Sequence, residues 1–550
     1  MSAAFRPAEA VDFVVVGAGA AGGVMAKELA IAGFRVVVLE QGPWRREKDF
    51  GHDEIGVIIR GELINDPRKQ PNTFRKTPAD TAKLQPAVGY CRTVGGGSVH
   101  FTANYWRFHP EDFRERSVLG AVAGADLRDW PITYDDLEPY YTKAEWDLGI
   151  SGLSGSNPFD GPRSKPYPLP PMPVKSSGVL FERAAQKLGL HPFPAPMAVL
   201  SQPYRGRAAC IHCGCCEAFG CEVGAKSSSL AALIPAAVQT GRCEIRPNSY
   251  VRKIETGKDG RVRGAIYFDA SGKEIFQRAQ AVVVCANGAE TPRLLLMSKS
   301  NLFPQGLANS HGNVGKYLMF DTGGYAMGVF DHPLNEYKSI VVTRVLHDFY
   351  RSDPQRGFYG GAGLDGRFES GPATFALSGL PTDVPQWGSE WKRTVGQYYT
   401  HMMGVIAHTS CLAVEQNSIS LDEVIRDVWG LPAIRVTFKN HPDDMKTIHF
   451  IAERQKEILS AAGARKIWLD PETLEETTYS VHLMGTCRMG DDPATSVVNR
   501  FNRAHDVPNL FLVDGSSLVT CGRQQPTETI QALAYRTADH IQQAARRGEI

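Results

Sequence analysis

Two groups of residues in this 550-residue chain are spaced for chemistry. Five of its 11 cysteines, Cys210, Cys213, Cys215, Cys216 and Cys221, fall within the run Cys210-Ile-His-Cys-Gly-Cys-Cys-Glu-Ala-Phe-Gly-Cys221. Soft thiolates at that density suit an iron–sulfur cluster or zinc, although clustered cysteines also form disulfides or bind nothing. The second group is Gly17-x-Gly19-x-x-Gly22. Its first glycine permits a tight turn, its second lets a pyrophosphate approach the backbone, and its third lets helix and strand pack closely. Glu40 lies at the distance expected of a carboxylate that accepts ribose hydroxyls. The pairing suggests electrons leaving a bound redox cofactor through iron and sulfur, while the fingerprint alone does not choose the nucleotide.

Composition bounds the classes open to such a chain. With 43% apolar and 22% charged residues it can bury large cores and should divide into two or more domains. A formal charge of +1, with both signs interspersed, gives no basic stripe for nucleic acid. No apolar run approaches the ~20 residues of a membrane span. Arg6, Glu9 and Asp12 stand where a signal peptide needs an apolar core, so the chain is expected to be made in the cytosol without an address of its own. The remaining cysteines are scattered without a framework spacing and read as free thiols.

The positioning elements follow from pattern. Val11–Val16 predicts a buried parallel strand, the glycine run turns into a helix reaching about Ala32, and Phe34–Leu39 predicts the next strand: a complete first βαβ unit. Seven prolines between Pro158 and Pro173 predict an extended connection over the surface. A strand over Ala281–Ala286 precedes Gly288-Ala-Glu-Thr-Pro-Arg293 and a helix, and another, Leu510–Val513, ends in Asp514-Gly515-Ser516. Strand ends so widely spread predict a discontinuous nucleotide domain with a second domain inserted between about Gly312 and Val481. Alternating segments such as Ala433–Phe438 give that insert an antiparallel sheet.

The choice of nucleotide rests on Cys91-Arg-Thr-Val-Gly95-Gly96-Gly97-Ser98-Val-His100-Phe-Thr-Ala-Asn104, whose glycines and serine allow a backbone to lie against a flat ring and its phosphates. Gly17 to Glu40, Gly95 to Asn104, Gly288 to Arg293, His482-Leu-Met-Gly-Thr-Cys-Arg-Met-Gly490 and Asp514-Gly515-Ser516 resemble, in order and from end to end, the glucose–methanol–choline (GMC) flavoprotein oxidoreductases. The sugar and aldonate dehydrogenase branch is the most similar, with glucoside 3-dehydrogenase, gluconate 2-dehydrogenase and pyranose 2-oxidase among its likenesses. The resemblance implies an α/β fold: a Rossmann-like FAD-binding domain, discontinuous in sequence, with an inserted antiparallel-sheet substrate domain. It divides the chain into a first FAD-binding segment (1–110), a connecting and wrapping segment (111–207), the cysteine-rich loop with a second FAD-binding segment (208–311), the substrate domain (312–481), and the catalytic motif with a third FAD-binding segment (482–550). FAD would be held by Gly17, Gly19, Gly22, Glu40, Gly95, Gly96, Ser98, His100, Asn104, Val251, Asp514, Gly515, Pro526 and Thr527. His100 stands where some members bond the flavin covalently and others only pack against it. The helix opening at Pro526 would set its positive end near the flavin, or is an ordinary terminal helix.

Oxidising an alcohol requires a base for the hydroxyl proton while hydride leaves the carbon, and histidine suits that task. In the resemblance His482 is the first member of the catalytic pair; the second, before Pro-Thr, is Gln525 where Asn or His is usual. Glutamine is no base, so His482 is expected to be sole base and Gln525 a substrate orienter. Cysteine-rich loops like this one bind a [3Fe-4S] cluster in some similar dehydrogenases, which makes Cys210, Cys213, Cys216 and Cys221 candidate ligands, with zinc the purely structural alternative. Arg523 would recognise a carboxylate if it faced the pocket, and otherwise lies on the solvated face. The expected function is dehydrogenation of a ring hydroxyl of a hexopyranose or glycoside; gluconate oxidation, a sugar oxidase using O₂ and a non-redox flavin lyase are the alternatives. No Cys-x-x-Cys-His haem motif occurs, so a cytochrome or other acceptor is expected, with a small subunit carrying the chain to the periplasm or, alternatively, a cytoplasmic acceptor.

Overall fold

The computed structural model describes residues 4–321 and 323–550. Its organising element is a parallel sheet in which Cys243–Arg246, Val36–Leu39, Val11–Val16, the second half of Glu274–Val284 and Leu510–Leu512 lie side by side. Both faces are buried, which is why these strands read as unbroken apolar runs. Val14 and Val16 enter one core, whereas Phe13 and Val15 enter the other, the period-two consequence of the pleat. Each such valine contributes about 1.5–3 kcal/mol of burial. Helices Ala20–Ile31 and Thr527–Arg546 cover the second face, with Val24, Met25 and Leu29 packed in the same core as Ala534, Ala538 and Ile541.

Glu274–Val284 does double duty: its first half joins Val262–Phe268 and Tyr250–Thr256 in an antiparallel meander, and its second half runs parallel to Val11–Val16. The proline-rich stretch holds no helix or strand, consistent with an extended connection.

A six-stranded sheet is antiparallel throughout, ordered Lys466–Leu469, Tyr325–Val329, Met402–Thr409, Ala362–Arg367, Arg344–Leu346 and Phe193–Pro194. The last of these strands comes from upstream of the insert. The segment expected to be antiparallel, Pro432–Thr437, belongs to a different sheet: it pairs antiparallel with Ser418–Arg426 but parallel with Asn72–Arg75. Hydropathy alternation reports one covered face and not the direction of the neighbour. Arg293, buried in the helix Glu290–Met297, ties the two regions together by donating to Asp427 (2.7 Å), Tyr250 (2.7 Å) and the carbonyl of Pro432 (2.9 Å). Among the described residues no helix is long and apolar enough to cross a membrane.

Candidate active site

At the carboxyl ends of the parallel strands lies a cavity of about 450 Å³, where open α/β sheets place their ligands. Glycine geometry shapes its floor. Gly17 has φ +94°, and a Cβ there would lie 2.5 Å from the Cys285 carbonyl. Gly96 has φ +55°, and its Cβ would meet the Gly19 Cα at 2.6 Å, so two glycine turns close on each other and leave a bare backbone cradle. Neither Ala20–Ile31 nor Thr527–Arg546 has a side-chain cap, which leaves the first N–H groups of both helices for whatever fills the cavity.

Gly17, Gly19, Glu40, Gly96, Ser98, His100, Val251, Asp514, Gly515, Pro526 and Thr527 all line this cavity, together with His482 and Gln525. Gly22, Gly95 and Asn104 stand behind the wall. Gly22 lets the helix close on the strand, its Cβ falling 1.9 Å from the Gly17 carbonyl, and Gly95 turns the backbone at φ +99°. Asn104 is buried with both amide atoms lacking a hydrogen-bond partner among the described residues. The Glu40 carboxylate is gripped by the amides of Ala18 (2.9 Å) and Gly42 (2.8 Å), yet burial outweighs both and pushes it up to about 7. Burial, aided by Lys226, pulls His100 down to about 4, so its ring is a neutral imidazole in the wall. Cradle, acid, uncapped helix ends and volume fit the expected dinucleotide.

Opposite the cradle stands a constellation that sequence reasoning found only in part. His482 Nδ1 donates to Asp321 Oδ2 at 2.8 Å, and His408 Nδ1 donates to the same oxygen at 3.2 Å. Asp321 meets His482 because Met319–Phe320 pairs with Leu483–Met484, Phe320 opposite Leu483, and the next step along both chains brings aspartate to histidine. His408 arrives on Met402–Thr409, where Ile406 and His408, two residues apart, both line the cavity. A histidine in an apolar strand was the sole signal for it, and Asp321 carried none.

Burial works to raise Asp321, but the two imidazoles outweigh it and hold the carboxyl below the usual range. Burial likewise works against charge on His408, but Asp321 and then Asp365 bring it up to about 9, so it is an imidazolium at neutral pH. Its Nε2 lies 2.6 Å from the Gln525 amide. A charged ring can only donate there, so Gln525 turns its carbonyl oxygen to His408. Asp365 is held by Arg367, whose third nitrogen reaches Glu369 at 2.9 Å. Two imidazoles and a carboxylate also suit a metal, but here Asp321 Oδ2 is already taken by both Nδ1 atoms.

Arg523 corrects an expectation. It does not face the cavity: it is buried and bound by Asp112 (2.8 Å) and Glu115, because two carboxylates on the segment after Phe108 need a cation in the interior.

The cysteine loop forms one side of the cavity wall through Glu217, whose carboxyl is pushed up to about 8 by burial and then by Glu369. Ala218 N donates to the His100 carbonyl at 2.8 Å. The buried Lys226 ammonium donates to the carbonyls of Phe101 (3.1 Å), Cys216 (2.7 Å) and Phe219 (2.7 Å), knotting the loop to the segment that carries His100. All five cysteines line a second, small cavity beside it. The ligand atoms that the fold draws within 4.8 Å of one another there are those of His52, Cys213 and Cys215, a set different from the four cysteines expected.

Two family models, both described as GMC oxidoreductase, match residues 11–321 and 413–534. The chain is 35% identical to a 2-methyl-1,2-propanediol dehydrogenase of Mycolicibacterium austroafricanum, over 97% of this chain and 95% of that protein. It is 31% identical to a gluconate 2-dehydrogenase flavoprotein of Pantoea cypripedii, over 97% and 94%. It is 28% identical to a fructose dehydrogenase large subunit of Gluconobacter japonicus, over 98% of each. A crystal structure of pyridoxine 4-oxidase from Mesorbium loti shares the fold with a TM-score of 0.65 at 17% identity, covering 96% of this chain and 98% of that one.

Proposed function

The chain belongs to the GMC oxidoreductase family, FAD-dependent oxidoreductases of CH–OH donors, and from that premise we propose that it is a dehydrogenase oxidising a ring hydroxyl of a hexopyranose or glycoside. FAD, when bound, supplies the acceptor for the hydride that leaves the substrate carbon. The single observation that carries the proposal is the Asp321-bridged pair of histidines facing the glycine cradle.

His482 donates from Nδ1 to Asp321, which fixes the tautomer and leaves Nε2 free to take the hydroxyl proton. The His408 imidazolium, whose two N–H groups are engaged by Asp321 and Gln525, acts through its charge to favour loss of the hydroxyl proton, and Gln525, which lines the cavity, positions the substrate oxygen. Glu217, neutral at pH 7, and Glu369 supply a donor and an acceptor for the other hydroxyls of a polyol. With Arg523 buried and Arg367 committed to Asp365 and Glu369, the cavity offers no free guanidinium for a carboxylate among the described residues, which sets gluconate below a neutral sugar. The relative named for 2-methyl-1,2-propanediol makes a small vicinal diol the second reading, and neighbouring ring hydroxyls present the same unit.

The proposal extends to three finer points. His100, a neutral imidazole in the wall, is the residue through which a covalent bond to the flavin would form; flavin remaining on acid-denatured polypeptide supports this, and complete release removes it. Cys210, Cys213, Cys216 and Cys221 would hold a [3Fe-4S] cluster, which when bound would supply a one-electron outlet, a reading supported by the loop's direct bonds to the His100 segment. A cytochrome or other acceptor and a small export subunit complete a periplasmic enzyme, a reading supported by relatives named as a flavoprotein and a large subunit. Activity confined to the cytosol of the native host would sink the export step alone. The main test is an anaerobic spectrum before and after a panel of sugars, vicinal diols and gluconate. Bleaching by neutral sugars is expected; bleaching by gluconate only, or by nothing, overturns the proposal, and rapid peroxide formation in air would make the protein an oxidase.

A further inference from the structure

The cysteine loop carries one histidine of its own, His212, and the fold turns it away. His212 Nδ1 bonds Ser339 Oγ at 2.8 Å, its carbonyl accepts from Ser339 N at 3.1 Å, and its backbone sits at φ +57°. Next to it Gly214, at φ +88°, leaves room for the carbonyl of Tyr337, which an added Cβ would approach to 2.0 Å. The loop is thereby wound outward against residues 337–339, and its inner side presents sulfur. Backbone amides point at two of those sulfurs, His212 N at Cys210 Sγ (3.3 Å) and Lys226 N at Cys221 Sγ (3.5 Å), the outer-shell pattern that steadies thiolate ligands. The buried Lys226 ammonium beneath supplies positive charge to offset them.

The imidazole facing these sulfurs comes instead from a segment about 160 residues upstream. Phe50 packs on Gly220, where an added Cβ would strike the Phe50 ring at 2.1 Å, and this contact delivers His52. The His52 ring stands edge-on to Phe219, with centroids 6.3 Å apart, and its Nε2 is 3.6 Å from Glu222 Oε1. Its ligand atom and those of Cys213 and Cys215 lie within 4.8 Å of one another, and Cys210, Cys216 and Cys221 line the same small cavity.

We propose that His52 joins Cys213 and Cys215 as a ligand in a mixed imidazole–thiolate site for a thiophilic metal, iron or zinc, with the remaining ligands drawn from the other cysteines of the cavity. Soft thiolates and imidazole together suit these two metals, and an imidazole in place of a thiolate makes an iron–sulfur centre less negative, raising its potential. The proposal rests on the electron-relay reading only in placing a thiophilic centre at this loop.

The test is metal and acid-labile sulfide analysis of the anaerobically purified holoenzyme, with pulsed EPR of the native iron centre or of a cobalt-substituted zinc site. His52→Ala and His52→Cys variants are compared at equal flavin loading and equal circular dichroism; His52 lies at the surface, so both are expected to fold. The expected result is imidazole nitrogen hyperfine coupling in the wild type, its loss in both variants, metal affinity lowered at least tenfold in His52→Ala, and affinity restored in His52→Cys. Iron and sulfide without nitrogen coupling, undisturbed by His52→Ala, overturns the His52 assignment and leaves the relay standing. Zinc or cobalt with nitrogen coupling but no sulfide upholds His52 and removes the relay. A protein that binds none of iron, zinc or cobalt overturns both.

Discussion

His482→Ala should slow substrate-dependent flavin bleaching by about 10²-fold or more, the lower end of what a general base contributes, while FAD stays bound. Unchanged stopped-flow kinetics would remove His482 from the mechanism. Gln525→Ala should cost less and act mainly on the apparent substrate constant, since the amide positions and does not take the proton. His408 is the residue whose charge can be titrated. Its folded pKa, about 9, lies above the ordinary value near 6.5, so its contribution is fully present below ~6.5 and is lost as pH rises through about 9. A descending limb of kcat/KM near pH 9 is therefore expected. Asp321→Asn removes the main carboxylate that holds this charge, so the limb should move to lower pH; a limb that stays in place would separate it from His408.

At the scale of elements, the cradle depends on two turns that exclude any side chain. Gly96→Ala places a Cβ against the Gly19 backbone at a positive φ, and should cost more than the ~1–2 kcal/mol of left-handed strain alone. The expected outcome is a purified protein largely free of flavin with a lowered Tm. Gly396, an exposed glycine away from the cavity whose added Cβ meets nothing within 4 Å, is the control, and Gly396→Ala should retain FAD. Equal flavin content in the two variants would contradict the cradle.

Across the whole molecule, buried ion pairs fasten pieces of chain that are far apart in sequence. Arg523 joins the turn before the C-terminal helix to Asp112 and Glu115. Removing one partner leaves uncompensated buried charge, so Arg523→Ala should cost about 3–5 kcal/mol, read as a fall in Tm. The apparent constant for gluconate in the folded fraction should stay unchanged; a selective rise would return Arg523 to substrate recognition.

Local spacing was enough to determine the first βαβ unit, the glycine cradle, Glu40 and the place of His482 and Gln525, because each depends on neighbours a few residues away or on a motif whose glycines have steric reasons. The same locality made the proline-rich connection legible. Contacts that pair distant segments carry no local signature, and tertiary structure alone decided them. It placed Asp321 beside His482 through strand register and brought His408 in on a strand of the insert. It buried Arg523 against carboxylates more than 400 positions earlier in the chain, and brought His52 within 4.8 Å of the Cys213 and Cys215 ligand atoms. Residue pattern decides which face of a strand is covered, but which chain covers it is settled only when the core closes.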